Sequence, residues 1–320
     1  MLYPILFDPI YKEMVWGGDR LATLFDRKLP FAKTGESWDI SCRAAEMGVI
    51  ANGAYKGKTF AQLIAMDPVG VLGTHLAGLA HFPLLVKLIS AHEDLSVQVH
   101  PDDMYARRVE GVPFGKTEAW VILDAPADAH LIFGLKEGVS RERFAQAIAA
   151  GDVAHCLEKV PAKKGDVFNI PAGLIHALTG GIVVAEVQQN ADTTYRVHDY
   201  GRGRPLHIEK AMDVIDFAGR IPKAPAKGET TEKDGNIWTT YRENDMFTLV
   251  SIDVKEGLVD QTEATRFCIY TCLTGGCIVA HENGRLALQA GSSVFMPAAL
   301  GEVTIQGACI LLKSFVENVR

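Results

Sequence analysis

Three short stretches of this chain carry side chains that could hold a metal ion. In Val97-Gln98-Val99-His100-Pro101-Asp102, Gln98 and His100 stand two residues apart. On a strand such residues point to the same face, and the valines between them point to the other. Pro101 ends the ladder there. A polar pair on one face of an apolar strand needs partners if that face is interior. In Gly115-Lys116-Thr117-Glu118-Ala119-Trp120, Glu118 opens a strand just after a loop. Its carboxylate comes near His100 if the two strands are neighbours. In Ile170-Pro171-Ala172-Gly173-Leu174-Ile175-His176, a Pro-Ala-Gly turn sets up a hairpin and His176 opens the return strand. Two imidazoles, a carboxylate and an amide oxygen form a plausible metal site. Zinc takes nitrogen and oxygen ligands and keeps an open position in catalytic sites. The same set suits iron(II) or manganese.

Cations stand nearby in sequence. Lys87 interrupts the apolar run Phe82–Ser90. A lysine there is costly unless it is paired or faces a wet cavity. The cavity is the expectation, with an anionic substrate to meet it. The run from Glu186 to Arg202 is unusually polar for a segment that follows a barrel strand. Asp192 and Arg196 could both reach the metal from it, and a solvated loop with a surface ion pair is the bland alternative.

These residues need a scaffold of strands. Phe82–Ser90, Leu95–His100, Ala119–Leu123, His130–Phe133, Asp166–Ile170 and Ile182–Gln188 read as short strands, and Gly and Pro turns between them suggest a barrel or sandwich. Helical patterns occur at Thr59–Met66, at Ser140–Ala150 with Ser140 as N-cap, and at His207–Phe217. Residues 221–236 are polar, with two prolines and two glycines, and read as a surface linker or long loop. A nearly pure β region follows, Phe247 to Phe315. Lys164–Gly173 resembles Ala290–Ala299, each a turn, a strand and a Pro-Ala bend. The first copy has His176 five residues past its proline; the second has Glu302 there. The expected fold class is therefore mainly β, a barrel or sandwich with flanking α-helical segments, and two jelly-roll β-barrels if both copies are barrels. Residues 1–225 form the unit with the metal site, and 226–320 a second barrel without one.

The 320 residues are 48% apolar and 22% charged, ordinary for a globular protein. The net charge of −7 argues against general nucleic-acid binding. No apolar run approaches the roughly 20 residues of a membrane span. The start does not read as a signal peptide. Six cysteines with no Cys-x-x-Cys pair suit buried small hydrophobes in a reducing cytoplasm. A cytoplasmic chain, monomeric or weakly homo-oligomeric, is expected.

At these residues the chain resembles the type I mannose-6-phosphate isomerases, or phosphomannose isomerases, in their short bacterial form. The resemblance rests on Trp16-Gly17-Gly18, Gly35-Glu36-Ser37-Trp38, Lys87, Gln98-Val99-His100-Pro101-Asp102-Asp103, Lys116-Thr117-Glu118, Pro171-Ala172-Gly173 with His176, and Asp192 through Arg196. It covers the N-terminal two thirds. It implies a pair of cupin barrels and one zinc ion in the first, held by Gln98, His100, Glu118 and His176. It implies that Lys87, Lys116 and Arg196 are active-site cations, with Asp192 an acidic neighbour of Arg196. Ala191, His198 and Tyr200 stand where many relatives have serine, an aromatic residue and tryptophan. None of the three belongs to the ligand set.

The implied reaction interconverts mannose 6-phosphate and fructose 6-phosphate through a cis-enediol. Lys116 and Arg196 would face the enediolate or the phosphate. Asp192, a lysine or metal-bound water would move the proton. Two rivals stand beside it: an iron(II) cupin oxygenase, and a non-catalytic module that binds a sugar phosphate.

Overall fold

The computed structural model describes residues 1–219, 221, 223–241 and 244–317. Eleven strands lie before residue 200. They are β1 Ile10–Gly18, β2 Thr34–Ile40, β3 Leu84–Ser90, β4 Val97–Val99, β5 Glu118–Asp124, β6 His130–Leu135, β7 Leu157–Pro161, β8 Val167–Ile170, β9 His176–Leu178, β10 Val183–Gln189 and β11 Tyr195–His198. They form a six-stranded sheet, β1-β2-β3-β10-β5-β8, and a five-stranded sheet, β11-β4-β9-β6-β7.

Side-chain alternation decides what each face buries. On β10, Val183, Ala185 and Val187 point to one side, with Val86 and Leu88 of β3 and Val121 of β5. Val184 points to the other, with Trp120 and Ile122 of β5 and Leu131, Phe133 and Leu178 of the second sheet. This second cluster fills the space between the two sheets. Along the same inward rows the residue types turn polar: Val184 gives way to Glu186 and Gln188, Ile122 to Trp120 and Glu118, and Ile89 to Lys87. The space between the sheets is thus apolar at one end and charged at the other.

The outer face of the second sheet is covered by helices. Phe144 and Ala147 of Arg141–Ala149 pack on Ile132 and Ala177 in one cluster that also holds Ala211 and Met212 of Ile208–Val214. The Ser140 hydroxyl caps the first of these, accepting from the Arg143 N–H. The helix Phe60–Met66 starts with a full capping box. Thr59 Oγ1 accepts from Gln62 N–H at 3.2 Å, and Gln62 Oε1 accepts from Thr59 N–H at 2.9 Å. Thr59→Ala is expected to lower stability by about 1 kcal/mol. The urea midpoint would fall at constant slope, and an unmoved midpoint would show the box to be dispensable.

The C-terminal strands are β12 Glu229–Lys233, β13 Asn236–Tyr241, β14 Thr248–Val254, β15 Gly257–Gln261, β16 Cys268–His281, β17 Gly284–Gln289, β18 Ser292–Met296, β19 Glu302–Gln306 and β20 Cys309–Phe315. They join in one nine-stranded sheet centred on β16. The first half of β16 pairs with β18 and β20, the second half with β17 and β19. Its interior holds Cys268, Cys272, Cys277 and Cys309 among Ile252, Tyr270, Val279 and Leu311. These thiols are buried small hydrophobes, as expected. The outer face of the first sheet packs on this half through Phe247, Phe267, Ile269, Phe295 and Leu312. Ile5, near the start of the chain, exchanges both backbone hydrogen bonds with Phe295.

The chain is mainly β, as its patterning predicts. The first two sheets are open paths with two edges each, and the nine-stranded sheet branches at β16; none closes into a ring among the described residues. The repeat also reappears in the backbone. Gly165 and Gly291 both adopt positive φ, followed by β8 or β18 and then a Pro-Ala bend. The expected loop at 221–236 is different. Its Pro222 lies outside the described residues, and β12 occupies much of the remainder, paired to β13 through Asp234-Gly235. Both turn residues have positive φ, 52° and 73°. Asp-Gly is the residue pair that a two-residue hairpin turn favours, a local signal that outweighed the polar composition. Among the described residues no helix is long and apolar enough to cross a membrane.

Candidate metal centre and its cavity

The charged end of the inner space gathers His100, Glu118 and His176. Their ligand atoms lie within 4.8 Å of one another, and all three residues are buried. Register explains the meeting. Gln98 of β4 pairs with His176 of β9, and Glu118 opens β5 in the facing sheet. His100 follows β4 directly. Its Nε2 lies 3.4 Å from Glu118 Oε1, and His176 Nε2 lies 3.7 Å from Glu118 Oε2.

Both rings are oriented from behind. His100 Nδ1 lies 2.9 Å from the Thr193 carbonyl, and His176 Nδ1 lies 2.9 Å from the Leu174 carbonyl. A carbonyl oxygen only accepts, so each Nδ1 carries the proton and each Nε2 presents a lone pair to the centre. Burial, and then the Lys116 charge, push His100 down to about 3, so it is neutral at physiological pH. Burial also lowers His176. For Glu118 burial acts upward, but Lys116 and the two imidazoles outweigh it and hold the carboxyl well below its usual range. Neither Glu118 oxygen accepts an aligned hydrogen bond. Lys116 Nζ stands 2.5 Å from Oε1 as a charge contact only. Oε2 has no such partner, and a buried carboxylate oxygen left without a donor is costly. With two lone pairs aimed at it, this donor set fits a divalent cation.

Gln98 is arranged differently from the expectation. Its Nε2 lies toward His176 Nε2, at 3.5 Å, and its Oε1 accepts from Ser96 Oγ at 3.2 Å. A half-turn of the amide would present the oxygen instead; the two orientations are nearly isosteric.

A cavity of about 370 Å³ reaches Gln98 and Lys116, which contact this centre. Lys87, Gln98, Lys116, Glu186, Asp192 and Arg196 line it. All the expected cations are therefore present, but in different states. Lys116 is buried, 3.4 Å from His100 Nε2. Arg196 is half-buried, its Nε donating to Ser96 Oγ at 3.2 Å and its Nη1 to the Pro205 carbonyl at 2.9 Å. Asp192 is exposed at the lip. Lys87 is only 2% exposed, and its charge is already matched. Its Nζ lies 3.5 Å from Glu36 Oε2, 3.4 Å from Glu186 Oε1, and 4.7 Å from the centre of the Trp38 ring. Burial opposes its charge, but the two carboxylates dominate and raise it.

Glu36 and Glu186 were not among the expected site residues. Glu36 Oε2 accepts from Trp38 Nε1 at 2.6 Å, and Glu186 Oε2 accepts from Trp120 Nε1 at 2.7 Å. Glu186 Oε1 has no hydrogen-bond donor. Burial first, and Glu118 second, push Glu186 up to about 7. The available signal was the glutamate inside Val183-Val184-Ala185-Glu186-Val187, directly opposite Lys87 in the β3–β10 register.

Two family models match the chain. One describes the catalytic domain of type I phosphomannose isomerase, over residues 5–112. The other describes the cupin domain of mannose-6-phosphate isomerase, over residues 237–316. The Bacillus subtilis (strain 168) protein named probable mannose-6-phosphate isomerase GmuF is 38% identical, over 97% of this chain and 98% of its own length. The crystal structure of the mannose 6-phosphate isomerase from Bacillus subtilis superposes with a TM-score of 0.89 at 33% identity, covering 98% of this chain and 99% of that one. A mannose 6-phosphate isomerase crystallised with zinc and yttrium shares the fold, with a TM-score of 0.80 at 16% identity, over 99% of this chain and all of that one.

Proposed function

This chain belongs to the type I mannose-6-phosphate isomerase family and is an isomerase of that class, and from that premise we propose that it interconverts mannose 6-phosphate and fructose 6-phosphate through a cis-enediol. The observation that carries the proposal is the buried His100–Glu118–His176 centre, with its unsatisfied carboxylate and two facing lone pairs. We assign Gln98, His100, Glu118 and His176 to one zinc ion. Zinc would polarise the sugar oxygens as a Lewis acid.

The chain's own residues do the rest. Lys116 and Arg196 stand on the cavity wall as fixed cations for the enediolate oxygen and the phosphate. Lys87 is already balanced, so it holds Glu36 and Glu186 in place and adds little free charge. Glu186 is the best-placed proton carrier. It lines the cavity, one oxygen is undonated, and its pKa near 7 suits a base at neutral pH. Its carboxylate takes the C2 proton of the open-chain aldose and returns it to C1, and the hydroxyl proton passes from O2 to O1. Asp192 at the lip is the alternative carrier.

The primary test is turnover of mannose 6-phosphate by metal-stripped protein, with and without zinc. Zinc-restored turnover supports the reading, and its absence with zinc bound removes it. Glu186→Gln should lower kcat by about 10²–10⁴-fold. The base must be ionised, and burial holds Glu186 above the usual carboxylate range, so wild-type kcat should fall as pH drops through that raised value. A residual activity that keeps this limb would move the assignment to Asp192. Arg196→Ala should cost about 10²–10³-fold in kcat while zinc is retained; full activity would remove its role.

We also propose that the chain divides near residue 225, into 1–225 and 226–320, each a cupin-type jelly roll. The matching turn–strand–bend segments and the separate interior clusters support this. The free thiols suit the cytoplasm, with the chain a monomer or weak homo-oligomer.

A further inference from the structure

The segments that carry His100 and Glu118 are tied together by two residues that belong to neither the ligand set nor the cavity wall. Asp103 lies three residues past His100, and Gln189 ends β10. Asp103 Oδ1 accepts from the Gly115 N–H at 2.7 Å and from Gln189 Nε2 at 2.9 Å. Gln189 Oε1 accepts from the Thr117 N–H at 2.9 Å, and the Gln189 backbone N–H donates to the Thr117 carbonyl at 3.0 Å. Thr117 is thus pinned through both of its backbone polar groups. The Lys116 N–H donates to the Pro101 carbonyl at 3.0 Å, closing the same contact from the other side. The approach is close enough to need glycine. A Cβ on Gly115 would lie 2.4 Å from both the Pro101 carbonyl oxygen and the Asp102 carbonyl carbon. Gln189 is 6% exposed, so none of its bonds is easily replaced by water.

Thr117 sits between Lys116 and Glu118. Rotation of its flanking peptide groups would swing both side chains, each of which lies 3.4 Å from His100 Nε2. We propose that Asp103 and Gln189 are positioning residues, a brace that sets the spacing between His100 and Glu118 and aims Lys116 at the same point. This rests on the reading that His100 and Glu118 hold the metal ion. Partners of this kind behind metal ligands typically govern affinity by about 10–100-fold.

The brace can be inverted chemically. Q189E places a second carboxylate against Asp103. D103N in the same chain removes the repulsion and places an amide donor opposite that carboxylate, but leaves the Gly115 N–H without its acceptor. Zinc affinity is read by competition with a chromogenic chelator, and melting of the zinc-free proteins reports the fold separately. We expect Q189E to weaken zinc by about 10–100-fold and the Q189E/D103N double variant to recover only part of that loss, because the Gly115 tie stays broken. Q189M removes both side-chain bonds without adding a charge, and a similar loss is expected if Q189E fails to fold. Wild-type zinc binding with Q189M and Q189E unchanged would overturn the brace. A wild-type chain that binds no zinc would instead overturn the metal assignment on which the brace depends.

Discussion

Replacing His176 with alanine is expected to abolish retention of the proposed zinc ion and to lower kcat/KM by at least about a thousandfold. A bound metal contributes several kcal/mol to stabilising developing charge, and each 1.36 kcal/mol is a factor of ten. His176 is wholly buried, with its Nδ1 proton on the Leu174 carbonyl and its ring 5.4 Å from Trp120. Its loss also opens a void, so folding must be checked by melting the zinc-free variant. His176→Gln fills more of the space and keeps an oxygen donor, and should recover part of the affinity. Zinc content by elemental analysis, beside turnover, gives the result. A His176→Ala protein that folds, binds zinc stoichiometrically and turns over normally would remove this centre from the mechanism.

Lys87→Met is the largest expected stability change. Methionine matches the length of the lysine stem but leaves Glu36 and Glu186 buried without their cation. Removing one partner of a buried charge group costs about 3–5 kcal/mol. The deficit should depend on pH. Burial, then Glu118, already hold Glu186 up at about 7, with Lys87 pulling the other way. Without Lys87 its pKa rises further. A carboxyl whose folded pKa exceeds its unfolded value keeps its proton longer in the folded state. Stability is then lost as pH rises from the unfolded pKa upward. The variant should therefore be nearest to wild type at about pH 5 and furthest from it at about pH 8. Denaturant titrations of both metal-free proteins at the two values give the comparison. An equal deficit at each pH would sink the account.

Much of the site was legible in the chain because its chemistry follows strand alternation. Gln98 and His100 are two apart, and Glu118 and His176 each open a strand after a turn. The neighbourhood of the three follows from register, since Gln98 pairs with His176. Lys87 shows the limit of such reading. A lysine in an apolar strand reveals that it needs a partner but not which one. The answer lay in Glu186, almost one hundred residues later, brought opposite by the β3–β10 register. Pairing of that range depends on global topology, which local pattern does not encode. The orientation of the Gln98 amide was equally hidden, because Ser96 competes for its oxygen. The hairpin at Asp234-Gly235 was missed for a different reason. Polar composition suggested a loop, while the turn residues alone were sufficient to reverse the chain. Helix starts fared better, since Ser140 is a cap visible from residue type, whereas the helix expected to run to Phe217 ends at Val214.

The contact between Ile5 and Phe295 has a consequence for synthesis on the ribosome. Phe295 belongs to the shared cluster that covers the outer face of the first sheet. Until that part of the chain has emerged, Ile5 lacks its backbone partner and the first sheet exposes an apolar surface. The nascent N-terminal half therefore has to wait, with the strands of its candidate metal centre already made, for the last strands to arrive. Nearly full-length closure of this kind is slow and exposed to aggregation. Truncated products ending before Phe295 are accordingly expected to be captured by chaperones or degraded, even though every proposed metal ligand is present in them.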